Sequence, residues 1–204
     1  MSTDSNYHHG NLRKALLEAG AELVEEKGIA AVSLRAVAKA AGVSHTAPYR
    51  HFDDKNSMLC GIAETGFRLL GQRLEEAVAA HPGDPGQQLT AAGVAYVELA
   101  IEHPRMHNLM FGGVLADDSV NESLEETSNQ SFQGLVDIIS RGQQEGIFRE
   151  GDTDELALTA WSVVHGFSML VATRSLDHRA KSREAKLALA QRVADNLLNG
   201  VITR

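Results

Sequence analysis

Apolar residues recur at helical spacing along almost the whole chain, and no segment alternates as a strand does. Over about 9–27, Leu12, Leu16, Ala19, Leu23 and Val24 share one face, and Gly28 stops the helix. A second helix, about 34–41, carries Leu34, Val37, Ala38 and Ala41 on one side. Ser33 is its N-cap, with a hydroxyl able to accept from a free amide of the first turn. Gly42 stands where a left-handed residue must end that helix. Val43 fills the corner, Ser44 caps a third helix over about 45–51, and Phe52 closes a small core. Asp53 or Asp54 caps a long fourth helix, about 55–80, with Met58, Leu59, Ile62, Phe67, Leu70 and Leu74 inside. Residues 81–86, rich in Pro and Gly, are a break.

The body resumes over about 86–103, with Leu89, Ala92, Val94, Tyr96, Val97, Leu99 and Ile101 apolar. His103-Pro104 interrupts it, a short helix over 105–111 ends at Gly112-Gly113, and 116–123 reads as a polar loop. A helix over about 122–145 carries Phe132, Leu135, Val136, Ile138 and Ile139, and ends at Gly146. Asp152 or Thr153 caps an apolar helix over about 154–175. The last, about 183–199, carries Leu187, Leu189, Val193, Leu197 and Leu198. The polar residues 1–7 are expected to fray. The pattern predicts an all-α chain of nine helices, a three-helix head joined to a larger helical body.

Residues 33–52 have the layout of a helix-turn-helix, whose second helix enters the major groove of DNA. Ser44, His45, Thr46 and Ala47 form the exposed first turn of that helix. Their hydroxyls and imidazole can bond phosphates or base edges, and the methyls of Thr46 and Ala47 can touch thymine. Tyr49 and His51 lie further along, placed for phosphate or sugar. Arg35, Lys39, Arg50 and Lys55 are candidate phosphate anchors. Pro48 sits about four positions into the third helix, where it removes an early amide donor.

Charge qualifies this picture. The chain has 204 residues and a net charge of −8. Yet residues 1–60 are neutral, with seven basic residues (13, 14, 27, 35, 39, 50, 55) against seven acidic ones (4, 18, 22, 25, 26, 53, 54). The whole −8 lies in 61–204, a body that discourages indiscriminate binding to nucleic acid. The single cysteine, Cys60, excludes an internal disulfide and a multi-cysteine zinc site, and reads as a buried thiol. No apolar run approaches the ~20 residues needed to span a bilayer, and the N-terminus lacks a signal core. The expectation is a cytoplasmic protein with no membrane partner.

Tyr7-His8-His9-Gly10-Asn11-Leu12, Gly28, the stretch from Ser33 to Phe52, and Asp54-Lys55 together resemble the head of TetR-family transcriptional regulators. Trp161-Ser-Val-Val-His165-Gly166 and His103-Pro-Arg-Met-His-Asn-Leu-Met-Phe111 resemble one C-terminal subclass of that family. The resemblance implies a DNA-binding domain over 1–54 and an effector-binding and dimerisation domain over 55–204. It also implies a homodimer on a palindromic operator of double-stranded DNA, acting as a repressor that a small molecule releases. The apolar surplus of the last two helices agrees, since paired with a second copy they would form a four-helix interface.

For the effector, Trp161, His165, Ser168, Met169 and Ala172 share a broad face, with indole and imidazole one turn apart. The short helix adds Met106, His107, Met110 and Phe111. These would line an apolar pocket with imidazole handles, suited to a small apolar or amphipathic molecule. Ordinary core packing is the competing reading of each residue. His103 and His107 have i, i+4 spacing, and His165 could join them on a metal. However, Pro104 breaks the helix, and no acid or cysteine completes a site, so no metal is expected. No nucleophile, acid pair or phosphate loop marks an enzyme, and no cofactor is implied. The alternatives are a DNA-binding regulator without an effector, and an all-α enzyme using its histidines as bases.

Overall fold

A computed structural model describes residues 4–115 and 122–201, with side chains over 12–115 and 122–200. Among the described residues there are eight α-helices: α1 (Asp4–Lys27), α2 (Leu34–Ala40), α3 (Lys55–Ala79), α4 (Pro85–Glu102), α5 (Pro104–Phe111), α6 (Glu122–Gln144), α7 (Thr153–Ala172) and α8 (Arg183–Val201). Two 3₁₀ turns, Ile29–Ala31 and Pro48–Arg50, flank α2. Among the described residues there is no β-strand. The helix α1 starts near residue 4 instead of 9, because residues 4–8 carry no apolar stripe by which a helix could be marked. Of the segment expected to fray, 4–7 belong to α1 and 1–3 lie outside the described residues. Of the expected loop 116–123, residues 116–121 also lie outside them, and 122–123 open α6.

The expected third helix over 45–51 is a correction. These residues form a turn followed by the 3₁₀ segment Pro48–Arg50. Pro48 has no amide hydrogen, so it cannot close an α-helical bond to the Ser44 carbonyl. That carbonyl accepts from Ala47 N instead, at 2.9 Å. The tighter spacing continues, from Arg50 N to Ala47 O at 3.2 Å and from His51 N to Pro48 O at 2.9 Å.

The caps are where the sequence puts them. Ser33 Oγ accepts from Ala36 N at 3.1 Å, and Asp152 Oδ1 from Glu155 N at 2.9 Å. Asp54 and Ser57 cap reciprocally at the start of α3. At the corner after α2, Gly42 has φ +68°. Val43 N reaches back to Ala38 O at 3.0 Å and Gly42 N to Lys39 O at 3.2 Å, which satisfies carbonyls that the helix end would leave bare.

The chain divides into two compact units, 1–66 with 105–126, and 67–104 with 127–204. Thus α3 contributes its first part to one and the rest to the other. In the first unit Leu16, Val24, Val37, Phe52, Met58 and Ile62 are all but sealed from solvent. Cys60 is buried with them, and burial pushes its thiol pKa up. In the second unit α4, α7 and α8 pack on one another. Leu89, Ile138, Ile139, Phe148, Leu156 and Ala160 form its core. Arg183 bonds Glu98 and Glu102, and Arg73 bonds Glu102 at 2.7 Å, so one cluster joins α8, α4 and the later part of α3.

One further expectation needs correcting. By length and composition, α7 is apolar enough to cross a membrane. Its apolar character has a local cause: Leu156, Ala157, Ala160, Val164, Phe167 and Val171 fill the core shared with α4 and α8. Outside that core Leu158, Val163 and Leu170 are 51%, 40% and 46% exposed.

Candidate nucleic-acid interface and effector site

The segment from Ser44 to Phe52 presents two sides. Pro48 and Phe52 are buried in the head and fix its inner side. Ser44, His45, Thr46, Tyr49 and Arg50 are exposed, Tyr49 by 58%. Tyr49 is therefore not a core residue. Ala47, His51 and Lys55 are half-buried. Ser44 Oγ and Thr46 Oγ1 lie 3.0 Å apart, so the two hydroxyls hold each other in place at the tip. Arg35 and Lys39 are exposed one turn apart on α2, with Lys39 in its last turn. The head thus shows hydroxyls, an imidazole, a phenol and cations on a surface fixed from beneath by apolar residues, as backbone positioning on DNA requires. Behind the segment, the Arg13 guanidinium lies 5.6 Å from the centroid of the Phe52 ring.

The expected effector residues fall into two groups. Met106, His107 and Met110 are buried and Phe111 half-buried, all on α5 within the first unit. The His107 and Phe111 rings are 5.0 Å apart. Helix α5 is held to α1: Glu25 Oε2 accepts from Met106 N at 3.1 Å, and Arg105 Nη1 donates to Glu25 O at 2.9 Å. Trp161, His165 and Met169 lie on α7 within the second unit. Indole and imidazole are 5.4 Å apart at centroids, and the Phe132 ring meets Trp161 edge-on at 6.0 Å. His103 lies between α4 and α5, outside either helix, and His107 and His165 belong to different units. No group of three or more metal-binding side chains occurs among the described residues.

The residue that sequence reasoning missed at this site is Tyr96. By residue type it counts only among the apolar positions of α4, and it is 6% exposed. The signal was its hydroxyl, because a buried phenol needs a partner. Tyr96 Oη lies 2.9 Å from His165 Nδ1, and Trp161 Nε1 donates to Tyr96 Oη at 3.3 Å. The assignment that uses each hydrogen once runs from the indole N–H to the phenol oxygen, and from the phenol O–H to Nδ1. It leaves the imidazole proton on Nε2. Burial raises the Tyr96 pKa, so the phenol stays protonated, and burial lowers that of His165, so the imidazole stays neutral. A second proton on Nδ1 would displace the phenol's donated bond.

Tyr96→Phe is expected to cost about 1–3 kcal/mol, since it strips the partner from two groups at once. Urea unfolding measures it, and an unchanged midpoint would show that the hydroxyl contributes nothing. The lowered His165 pKa also sets a sign. The unfolded chain takes up this proton first, so the contribution is whole above pH about 6.5 and is lost as pH falls toward the folded value. His165→Asn is expected to flatten the loss of stability between pH 7.5 and 5.5.

Comparisons with known proteins bear on the family of the chain. Residues 16–60 match the bacterial regulatory proteins of the tetR family, and residues 89–197 match the tetracyclin repressor-like C-terminal domain. The solved structure of a protein of unknown function from Rhodococcus sp. RHA1 is 32% identical, with a TM-score of 0.83 over 97% of this chain and 98% of that one. The HTH-type transcriptional regulator AcrR of Shigella flexneri is 33% identical over 98 residues, which is 48% of this chain and 46% of that regulator. The HTH-type transcriptional repressor KstR2 of Mycobacterium tuberculosis is 28% identical over 67% of this chain and 69% of its own length. With a helix-turn-helix head and a C-terminal body that both match, the chain belongs to the TetR family and is a DNA-binding transcriptional regulator.

Proposed function

We propose that the protein is a homodimeric repressor that leaves a palindromic operator when a small apolar or amphipathic effector enters its body. The division of labour is a DNA-binding domain over 1–54 and an effector and dimerisation domain over 55–204. The observation that carries DNA reading is the exposed polar surface from Ser44 to Arg50 on a buried Pro48 and Phe52. The Trp161–Tyr96–His165 chain supports an effector site, since a few placed polar groups among aromatic rings suit such ligands. The apolar side chains that α7 leaves exposed, Leu158, Val163 and Leu170, support dimerisation. Among the described residues of α8, Ala190 and Ala194 are buried, Leu197 and Leu198 pack partly against the chain's own core, and Leu187, Leu189 and Val193 remain half-exposed. A second copy would cover these side chains. The role is binding, not catalysis, and it is exercised in the cytoplasm with the DNA.

Selection from random duplex DNA at two salt concentrations tests the reading. An enriched inverted repeat is the expected result. Binding without enrichment, weak and lost in salt, would refute sequence reading by the head alone. Candidate effectors, chosen from genes beside the selected sites, are then titrated against the operator complex. They are expected to release wild-type protein and to leave a Trp161→Ala chain bound. If that variant no longer binds the operator at all, Trp161 is structural.

A further inference from the structure

Helices α4, α7 and α8 leave a cavity of about 270 Å³ beside the link from α7 to α8. Ile101, Pro104 and Val171 give it apolar walls. Arg174, Asp177, Lys181 and Lys186 line it as well, three cations to one carboxylate. Residues 61–204 carry the whole net charge of −8, yet 174–186 hold five basic residues and two acidic ones. Asp177 fixes two of the cations, Arg174 by Nε at 2.8 Å and Lys186 by Nζ at 2.9 Å. Arg183 is committed to Glu98 and Glu102, and Lys181 makes no ion pair among the described residues.

The backbone at Arg174 adds an independent observation. It has φ +61°, the one non-glycine in the left-handed region among the described residues. It stands just past the end of α7, where Ser175 N bonds Leu170 O at 2.9 Å and Arg174 N bonds Val171 O at 3.0 Å. Glycine fills such a position without strain. An arginine there lowers stability and adds Arg174 to the lining of the cavity, the kind of local strain that accompanies binding sites.

We propose that this cavity binds an amphipathic carboxylate, its head held by Arg174, Lys181 and Lys186 and its short apolar part against Ile101, Pro104 and Val171. At about 30 Å³ per water-sized group, the volume admits about nine heavy atoms. Hexanoate is therefore the probe. The site is separate from the Trp161–Tyr96–His165 cluster and does not depend on the effector reading.

Amide shifts of the full-length protein are followed by NMR as hexanoate, acetate and hexylammonium are added. Hexanoate is expected to shift residues 171–186 saturably, at least tenfold more tightly than either control. Arg174→Gly is expected to raise the melting temperature and weaken hexanoate at least fivefold, a pair of changes that damage to the fold could not produce. Lys181→Glu, on an exposed side chain, is expected to weaken it comparably. The proposal fails if hexanoate gives no saturable shift, if hexylammonium matches it, or if both variants bind as wild type. A hexanoate response confined to Trp161 emission would also overturn it, by placing the ligand in the other cluster.

Discussion

Tyr49→Ala is expected to weaken operator binding about a hundredfold while leaving the melting temperature unchanged. The side chain is 58% exposed, so the head does not depend on it for its core. A hydrogen bond to a charged phosphate contributes about 1.5 kcal/mol or more. A dimer loses it twice, so the low end of that range gives about 3 kcal/mol. Anisotropy of a labelled operator reads the change, and a dissociation constant within twofold of wild type would remove Tyr49 from the interface. Lys39→Gln provides a different signature. Each phosphate contact sets about 0.9 of the slope of log K against log salt, so losing one per subunit lowers the slope by about 1.8. A slope that stays put would make Lys39 an ordinary solvated charge.

Gly142→Ala is expected to be the most destabilising single methyl in the second unit. A Cβ there would stand 2.8 Å from Phe148 Cγ and closer still to the ring edge. Phe148 is 1% exposed and enclosed in a core with Ile138, Ile139 and Leu156. The backbone cannot yield easily either, because Gly142 O accepts from both Ile147 N at 2.8 Å and Phe148 N at 3.0 Å. Overpacking of this kind costs about 3 kcal/mol, and alanine's better helix propensity returns about 1. The net, about 2 kcal/mol, lowers the melting temperature by about 4–8 °C in a chain of this size. Gly66→Ala is the contrast. Its Cβ would meet Met110 Sδ at 2.6 Å and Met106 Cγ at 3.1 Å, both on flexible side chains that can turn aside. Equal melting temperatures for the two variants would show that the Phe148 ring has room to move.

What the sequence makes legible here is local. Ser33, Gly42 and Asp152 act within three to five residues of themselves, and their caps and corners follow from their chemistry alone. The buried faces of α1 and α3 follow from spacing in the same way. The 3₁₀ segment escaped because seven residues are too few for a period of 3.6 to be told from 3.0, although Pro48 held the reason in plain view. The effector residues were legible only in part. Tyr96 meets His165 across 69 positions and Glu25 meets Met106 across 81. No spacing along the chain encodes such meetings. Helix α5 was therefore grouped with α7 by residue type, whereas a carboxylate on α1 holds it within the first unit.

The 3₁₀ bonding from Ser44 to His51 bears on how the head would meet its site. Such bonds are poorer than α-helical ones, so the segment resists rearrangement less than α1 or α3 does. Its anchor is narrow, two buried side chains, while its amides are held by short-range bonds that can be exchanged one at a time. Contact with DNA can then adjust the backbone itself, at little energetic cost and without disturbing the core beneath. Were this segment to read DNA, selectivity would reside partly in how readily a given base sequence completes its fold, and its hydrogen-exchange rates would register a matched site as slower than a mismatched one.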